Sequence, residues 1–189
     1  MAWRLLASFW LGVLLTLVCG EVHASVPLVI DDAISQVQLS PHISYYHDAS
    51  GAESVDTVMQ RVQQGRFQPL PSGRSSFGFH DGGYWFHLRV INLNDSEPRW
   101  LLVQQYALSD RIDVYTRRPD GRSTHQRGGD SVPFDERSIS YRHPNFWLTL
   151  PQGQAVDVFV RVQSQSSMQV PLSLYTPTAF TEMARDAQL

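Results

Sequence analysis

Three residues spaced by two, Trp85, His87 and Arg89, open a series of side chains whose types could recognise a ligand. Arg111, Asp113 and Tyr115 repeat the spacing, Trp147 stands in a later apolar run, and Phe159 with Arg161 closes the series. Such spacing puts residues on one face of a β-strand, because successive side chains of an extended chain point to opposite sides. Aromatic rings offer flat apolar faces, and Arg and Asp offer planar hydrogen-bonding groups. The combination suits a saccharide-like ligand, whose C–H face stacks on a ring while its hydroxyls are bonded at the edge. The expected ligand-binding set is Trp85, His87, Arg89, Arg111, Asp113, Tyr115, Trp147 and Arg161, provided that all of them stand on the wet side of their strands. The plainer role for any one of them is a cross-strand pair or a ring half-buried under a neighbouring element.

Other chemistries find less support. Calcium needs clustered oxygen ligands, and the loops supply Asp81, Asp95 with Glu97, Asp130, and Asp135 with Glu136. None follows an EF-hand or nonapeptide pattern, and turn chemistry explains most of these carboxylates. Ser75, Ser76, His80 and Asp81 could be drawn as a hydrolase triad, but no Gly-x-Ser-x-Gly elbow exists. Zinc would have to use His80, His87, His125 or His143, and no His-Glu-x-x-His spacing occurs. Gly128-Gly129-Asp130 has the opening letters of a cyclase signature but continues Ser131-Val132 instead of Glu-Phe. The sequence therefore predicts no catalytic residues, no metal site and no required cofactor, with calcium as the one alternative.

Composition narrows the field further. The 189 residues are 42% hydrophobic and 17% charged, with net charge −3, which fits a globular domain. All 15 basic residues are Arg, so lysine chemistry is excluded. They are dispersed along the chain, unlike the clustered footprint of a nucleic-acid binder. The single Cys19 rules out a disulfide framework and a cysteine zinc site.

Residues 1–24 read as a secretory signal. Arg4 supplies the positive region, residues 5–18 an apolar core, and Val22-His23-Ala24 a small-residue cleavage site before Ser25. The apolar run is too short for a membrane span of ~20 residues. Cleavage would remove Cys19 and leave an exported, cysteine-free chain.

The body, residues 25–176, reads as all-β and antiparallel, with one short helix. Phe86, Leu88 and Val90 alternate with the polar series above, as do Ile112 and Val114. Phe146, Leu148 and Leu150 repeat the pattern, and so do Val156, Val158, Val160 and Val162. Strict alternation marks strands with one buried face. Turn signals separate them at residues 92–95, 119–121, 128–130 and 151–153. Several strands at this spacing suggest a β-sandwich or a barrel, and no βαβ rhythm is present. Ser54 is placed to cap a helix in which Val55, Val58, Met59 and Val62 recur, with Gly65 as its stop; it is expected across one end of the fold. Residues 177–189 leave the β pattern, with Pro177 starting a helix through Phe180, Met183, Ala184 and Ala187.

The order of these pieces resembles a known family. Tyr84-Trp85-Phe86-His87-Leu88-Arg89 is followed by Asn92 and Trp100-Leu101-Leu102. Next come Asp110-Arg111-Ile112-Asp113-Val114-Tyr115 and Gly129-Asp130 with Pro133-Phe134 and Arg137. Arg142-His143-Pro144, Phe146-Trp147-Leu148, Leu150-Pro151, Val160-Arg161-Val162 and Pro171-Leu172 complete the series. This arrangement is similar to the second type of extracellular domain of bacterial seven-transmembrane receptors with diverse intracellular signalling modules. It also resembles the periplasmic sensor regions of RetS- and LadS-type hybrid histidine kinases. The resemblance implies a jelly-roll sandwich like that of carbohydrate-binding modules, placed in the periplasm ahead of membrane helices, with residues 177–189 as a juxtamembrane tail. It implies signal transduction through a histidine kinase or diguanylate cyclase elsewhere in the receptor. It supplies no fixed ligand residues, so the recognition face remains a reading of the strands. The competing reading is an interaction module that packs the same aromatic face against a second receptor copy or another periplasmic protein.

Overall fold

The structure is a computed structural model that describes residues 26–71, 74, 76–133 and 138–187. The expected leader with Cys19, and Ser75, Phe134, Asp135, Glu136 and Arg137, lie outside the described residues. In chain order the strands are β1 (Leu28–Ile30), β2 (Gln36–Gln38), β3 (Ser44–Asp48), β4 (Gln68–Pro69), β5 (Ser76–Gly78), β6 (Gly83–Asn92) and β7 (Arg99–Gln104). They continue with β8 (Arg111–Arg117), β9 (Ser123–Gly128), β10 (Asn145–Thr149), β11 (Ala155–Gln163), β12 (Met168–Gln169) and β13 (Leu172–Tyr175). Two helices accompany them, α1 (Val55–Gln63) and α2 (Pro177–Asp186).

The larger sheet has the spatial order β4-β3-β6-β11-β8-β9, with β1 also pairing β6; the smaller has the order β10-β7-β13-β2, and β12 pairs β5 separately. These pairings are antiparallel except β1 with β6. The expected all-β antiparallel sandwich of jelly-roll type is what the chain forms.

The core lies between the sheets. Phe86, Leu88 and Val90 of β6, Ile112 and Val114 of β8, and the four valines of β11 meet Trp100, Leu102, Phe146, Leu148, Leu172 and Leu174 from the smaller sheet. Period-two apolar spacing thus turned inward as the alternation predicts. Close packing also dictates a glycine: a Cβ on Gly128 would stand 2.6 Å from Cζ of Phe146.

The two helices cover the outer faces, giving four layers in the sequence α1, larger sheet, smaller sheet, α2. Helix α2 has Thr176 as its N-cap and packs Phe180 with Leu101, Val103, Tyr141 and Tyr175. That second cover explains why β7 reads as a continuous apolar run: Trp100 and Leu102 face the core while Leu101 and Val103 face α2. Helix α1 is capped by Ser54, whose Oγ accepts from Thr57 N at 3.3 Å, and Gly65 follows its end with φ +66°. Its position corrects the expectation. It lies on the outer face of the larger sheet, not across one end of the fold, because that face carries the apolar rings able to bury Val55, Val58, Met59 and Val62.

Candidate functional site

Strand register arranges the outer face of the larger sheet in transverse rows. Tyr46, Trp85, Arg161, Asp113 and Arg127 form one row across β3, β6, β11, β8 and β9. Ser44, His87, Phe159, Tyr115 and His125 form the next, and Arg89, Asp157, Arg117 and Ser123 a third. All the expected ligand residues except Trp147 share this face. Trp147 belongs to β10 in the other sheet, beside the α2 cluster, with Arg99 stacked 5.3 Å from its ring centroid. Alternation gives the phase of a strand and says nothing of which sheet it joins, so the common platform expected for Trp85 and Trp147 does not exist.

The face is also drier than expected. Trp85 and Asp113 are fully buried and His87 is 4% exposed. Val58, Trp85 and Phe159 form the centre of an apolar cluster joined by Tyr46, Met59, Val62, Phe67 and Tyr115. Alternate rings that read as a wet surface are the seat of α1. Polar contacts fix the helix there: Arg117 donates to Asp56 at 3.0 Å, and Glu53 accepts from Arg61 at 2.9 Å and from the Tyr46 hydroxyl at 3.1 Å. Burial, and then the Glu53 contact, push the Tyr46 phenol up from its ordinary value.

On one side of α1 the charged residues are held by one another, by rings and by a loop carbonyl. Asp113 accepts from Arg111 Nε and from His125 Nε2, each at 2.8 Å, with Arg127 Nε at 3.7 Å. Tyr115 stacks on His125 with centroids 4.2 Å apart and on Trp85 at 5.8 Å. Burial, then the Asp113 charge, push its phenol up. Arg161 lies over Trp85 at 5.6 Å and donates to the carbonyl of Gly51. Here Arg111, Asp113, Tyr115 and Arg161 tie strands and loops together, as cross-strand pairs do.

The opposite side is open. A groove with a cavity volume of about 730 Å³ runs between the end of α1, the segment around Phe67, β1 and β3. It exists because β6 changes its edge partner: β3 pairs residues 83–87 and β1 pairs residues 90–92, leaving a breach beside Leu88 and Arg89. Leu28, Ile43, Met59, Val62, Phe67 and Phe159 give it apolar walls, and His87, Arg89 and Asp157 converge at one place in it. His87 Nε2 donates to Asp157 Oδ1 at 2.9 Å, its ring stacks on Phe159 at 4.7 Å, and Phe67 meets it edge-on at 6.0 Å. His87 Nδ1 is buried without a hydrogen-bond partner among the described residues. Arg89 is exposed and makes no ion pair or side-chain hydrogen bond to a described residue, although Asp157 is directly opposite it on β11. Of the expected set, His87 and Arg89 line this groove. Asp157, Phe67, Met59 and Val62 were missed as site residues. Asp157 and Phe159 carried a usable signal, since both alternate with the β11 valines, but the register to β6 was needed to place them.

A second, more open concavity of about 590 Å³ at the end of the sandwich is lined by Phe79, His80, Asp81, Asp110 and Gln163 with their neighbours. Asp110 there accepts from the backbone N–H of Gln165. Among the described residues no three His, Cys, Asp or Glu side chains converge as a metal-binding group. Asp95 instead accepts from Gln152, and Glu97 from the backbone N–H of Arg99.

The fold is a close-packed β-sandwich with one groove on the outer face of its larger sheet and a second concavity at one end. The family follows from the sequence: residues 40–176 match the model described as 7TMR-DISM extracellular 2, and the chain belongs to that family. It is thereby an extracellular, periplasmic sensor domain of a membrane receptor. Among the described residues no helix is long and apolar enough to cross a membrane. Solved structures similar to it include β-glucuronidase from Ruminococcus gnavus in complex with uronic deoxynojirimycin, at 14% identity and TM-score 0.40 over 75% of this chain and 29% of that chain. The same enzyme in complex with D-glucaro 1,5-lactone aligns at 14% identity and TM-score 0.38, over 75% and 28% of the respective chains. The chain therefore corresponds to less than a third of the length of those structures. A comparison with curated proteins finds no match.

Proposed function

We propose that this domain is the ligand-sensing part of an inner-membrane receptor, exported by its leader, and that it binds a small organic molecule in the groove beside α1. The observation that carries the reading is the meeting of Arg89, His87 and Asp157 in a groove whose walls are mostly apolar. Pockets with a few placed polar groups on apolar walls are what small ligands occupy. Of the saccharide-contacting residues expected from the sequence, the groove keeps His87 and Arg89, with Phe159 as the available ring. Trp85 takes part only as the layer on which α1 rests. Occupancy would favour one setting of α1 against the sheet, and a ligand shifts such an equilibrium only by its difference in affinity for the two states. The output we assign is two-component signalling through a histidine kinase carried elsewhere in the receptor.

Thermal unfolding with a panel of saccharides, amino acids and organic acids tests the groove. A ligand that binds only the folded form raises Tm, by RT ln(1 + [L]/Kd) in free energy. At least one compound should raise the Tm of the chain and fail to do so in Gln63→Trp, whose new ring would fill the groove from an exposed position on α1. A shift that is equal in both proteins would place the ligand elsewhere, and no shift from any compound would end the reading.

A further inference from the structure

We infer that the groove recognises a zwitterion with an apolar body, and that its ligand class is an α-amino acid with an aromatic or branched aliphatic side chain. The inference rests on the groove being the ligand site and names what that site selects. Arg89 is a cation with no partner among the described residues, exposed into the groove at the breach in the β6 edge. A guanidinium in that position is suited to a planar carboxylate, which it can bind through two parallel N–H donors. Opposite it, across the β6–β11 register, stands Asp157. One of its oxygens accepts from His87, and the side chain keeps 28% exposure. Its second oxygen makes no hydrogen bond to a described residue and is left for a ligand cation.

His87 adds a further acceptor. With Nε2 donating to the Asp157 carboxylate, Nδ1 is an acceptor lone pair whenever the ring carries a single proton. That atom is buried, and the side chain is 4% exposed while lining the groove. Leaving it unpaired is costly, so a donor from the ligand stabilises the complex. One donor fork beside two acceptors matches a carboxylate and an ammonium carried on a single carbon. Met59, Val62, Phe67 and Phe159 give the groove an apolar wall that would take the side chain of the amino acid, with His42, Ser44 and Gln63 as its other polar side chains. A saccharide presents hydroxyls around its whole rim and would leave those against these walls without partners.

Isothermal titration of the full chain separates the classes. L-Phenylalanine and L-leucine should bind. 3-Phenylpropanoate, lacking the ammonium, and phenethylamine, lacking the carboxylate, should each bind at least about ten-fold more weakly than L-phenylalanine, since each loses a charge-assisted contact. Arg89→Ala, a change at an exposed position, should weaken L-phenylalanine by a similar factor or more, and Asp157→Asn should do the same while Gln63→Trp abolishes binding. Equal affinity for the amino acid and either truncated analogue overturns the zwitterion assignment. So does an Arg89→Ala protein that keeps full affinity. Binding of a saccharide or an organic acid in the groove, blocked by Gln63→Trp and without any amino-acid binding, overturns the ligand class and leaves the groove as the sensor site. If no compound distinguishes the chain from Gln63→Trp, both fall.

Discussion

Asp48 shows how a single buried side chain sets the geometry on which the groove depends. It is 2% exposed, and its carboxylate accepts from Ser50 Oγ at 2.6 Å and from the backbone N–H groups of Ser50, Gly51 and Glu53. These contacts fold the connection from β3 into the cap of α1. Burial alone would raise the Asp48 carboxyl, but the Ser50 hydroxyl and the three backbone donors together hold it below the ordinary carboxylate value. A depressed pKa in the folded state contributes stability that is complete above the unfolded value of about 3.9 and is lost as pH falls through the folded value. Acid titration of stability should therefore steepen below about pH 4 in the native chain and be shallower in Asp48→Asn; matching slopes would remove Asp48 from the linkage. Gly82 completes the same corner: its φ is +85°, and a Cβ would stand 2.1 Å from the carbonyl oxygen of Asp48. None of this was legible beforehand. The Asp48-Ala49-Ser50-Gly51 run announces a turn, but a turn signal does not say that its carboxylate will also seat a helix.

At the level of elements, α1 is the part of the fold least visible in the sequence, although its existence was plain. Ser54, the recurrence of Val55, Val58, Met59 and Val62, and Gly65 define the helix and its ends. Its docking partner could not be read, because an amphipathic stripe states that a face is buried and not what buries it. The same gap misplaced the recognition surface. Trp85 and Phe159 alternate with core residues, so they read as solvent-facing, whereas a second apolar layer on the outer side makes both faces of β6 dry over residues 83–88. Val58 is at the centre of that layer with no exposure. Val58→Asp would bury an unpaired charge beside Trp85, which the protein avoids by lifting the helix. Tryptophan emission should then shift to the red and the groove should lose its ligand, while far-ultraviolet circular dichroism keeps its strand signal. An unchanged emission maximum would show that α1 does not shield Trp85. The strands fared better in prediction, since the alternation in β6, β8, β10 and β11 leaves little choice of inward face; β7 and β9 escaped it, one apolar on both faces and the other almost wholly polar.

Over the whole molecule, each sheet has its own helical cover, and the two covers are separated by the shared core. The groove belongs to α1 and the larger sheet; the α2 cluster of Phe180, Tyr141, Tyr175, Leu101 and Val103 belongs to the smaller. Distant sites without common partners contribute independently. Phe180→Ala should therefore lower stability by about 3–5 kcal/mol through the cavity it leaves, while ligand affinity in the folded protein stays as it was. Denaturant unfolding and titration calorimetry on the same sample check both halves. An affinity that fell with stability would mean that the two covers communicate through the core.

The breach along β6 has one more effect, on the main chain itself. A strand flanked on both sides shields its peptide groups from water, whereas at residues 88–89 the outer neighbour has ended and the next has not begun. Solvent therefore reaches the middle of an otherwise sealed ribbon. Deuterium should enter there sooner than in the flanking stretches of the same strand, and a bound molecule lying over the gap would slow it, so the backbone carries its own record of when the domain is filled.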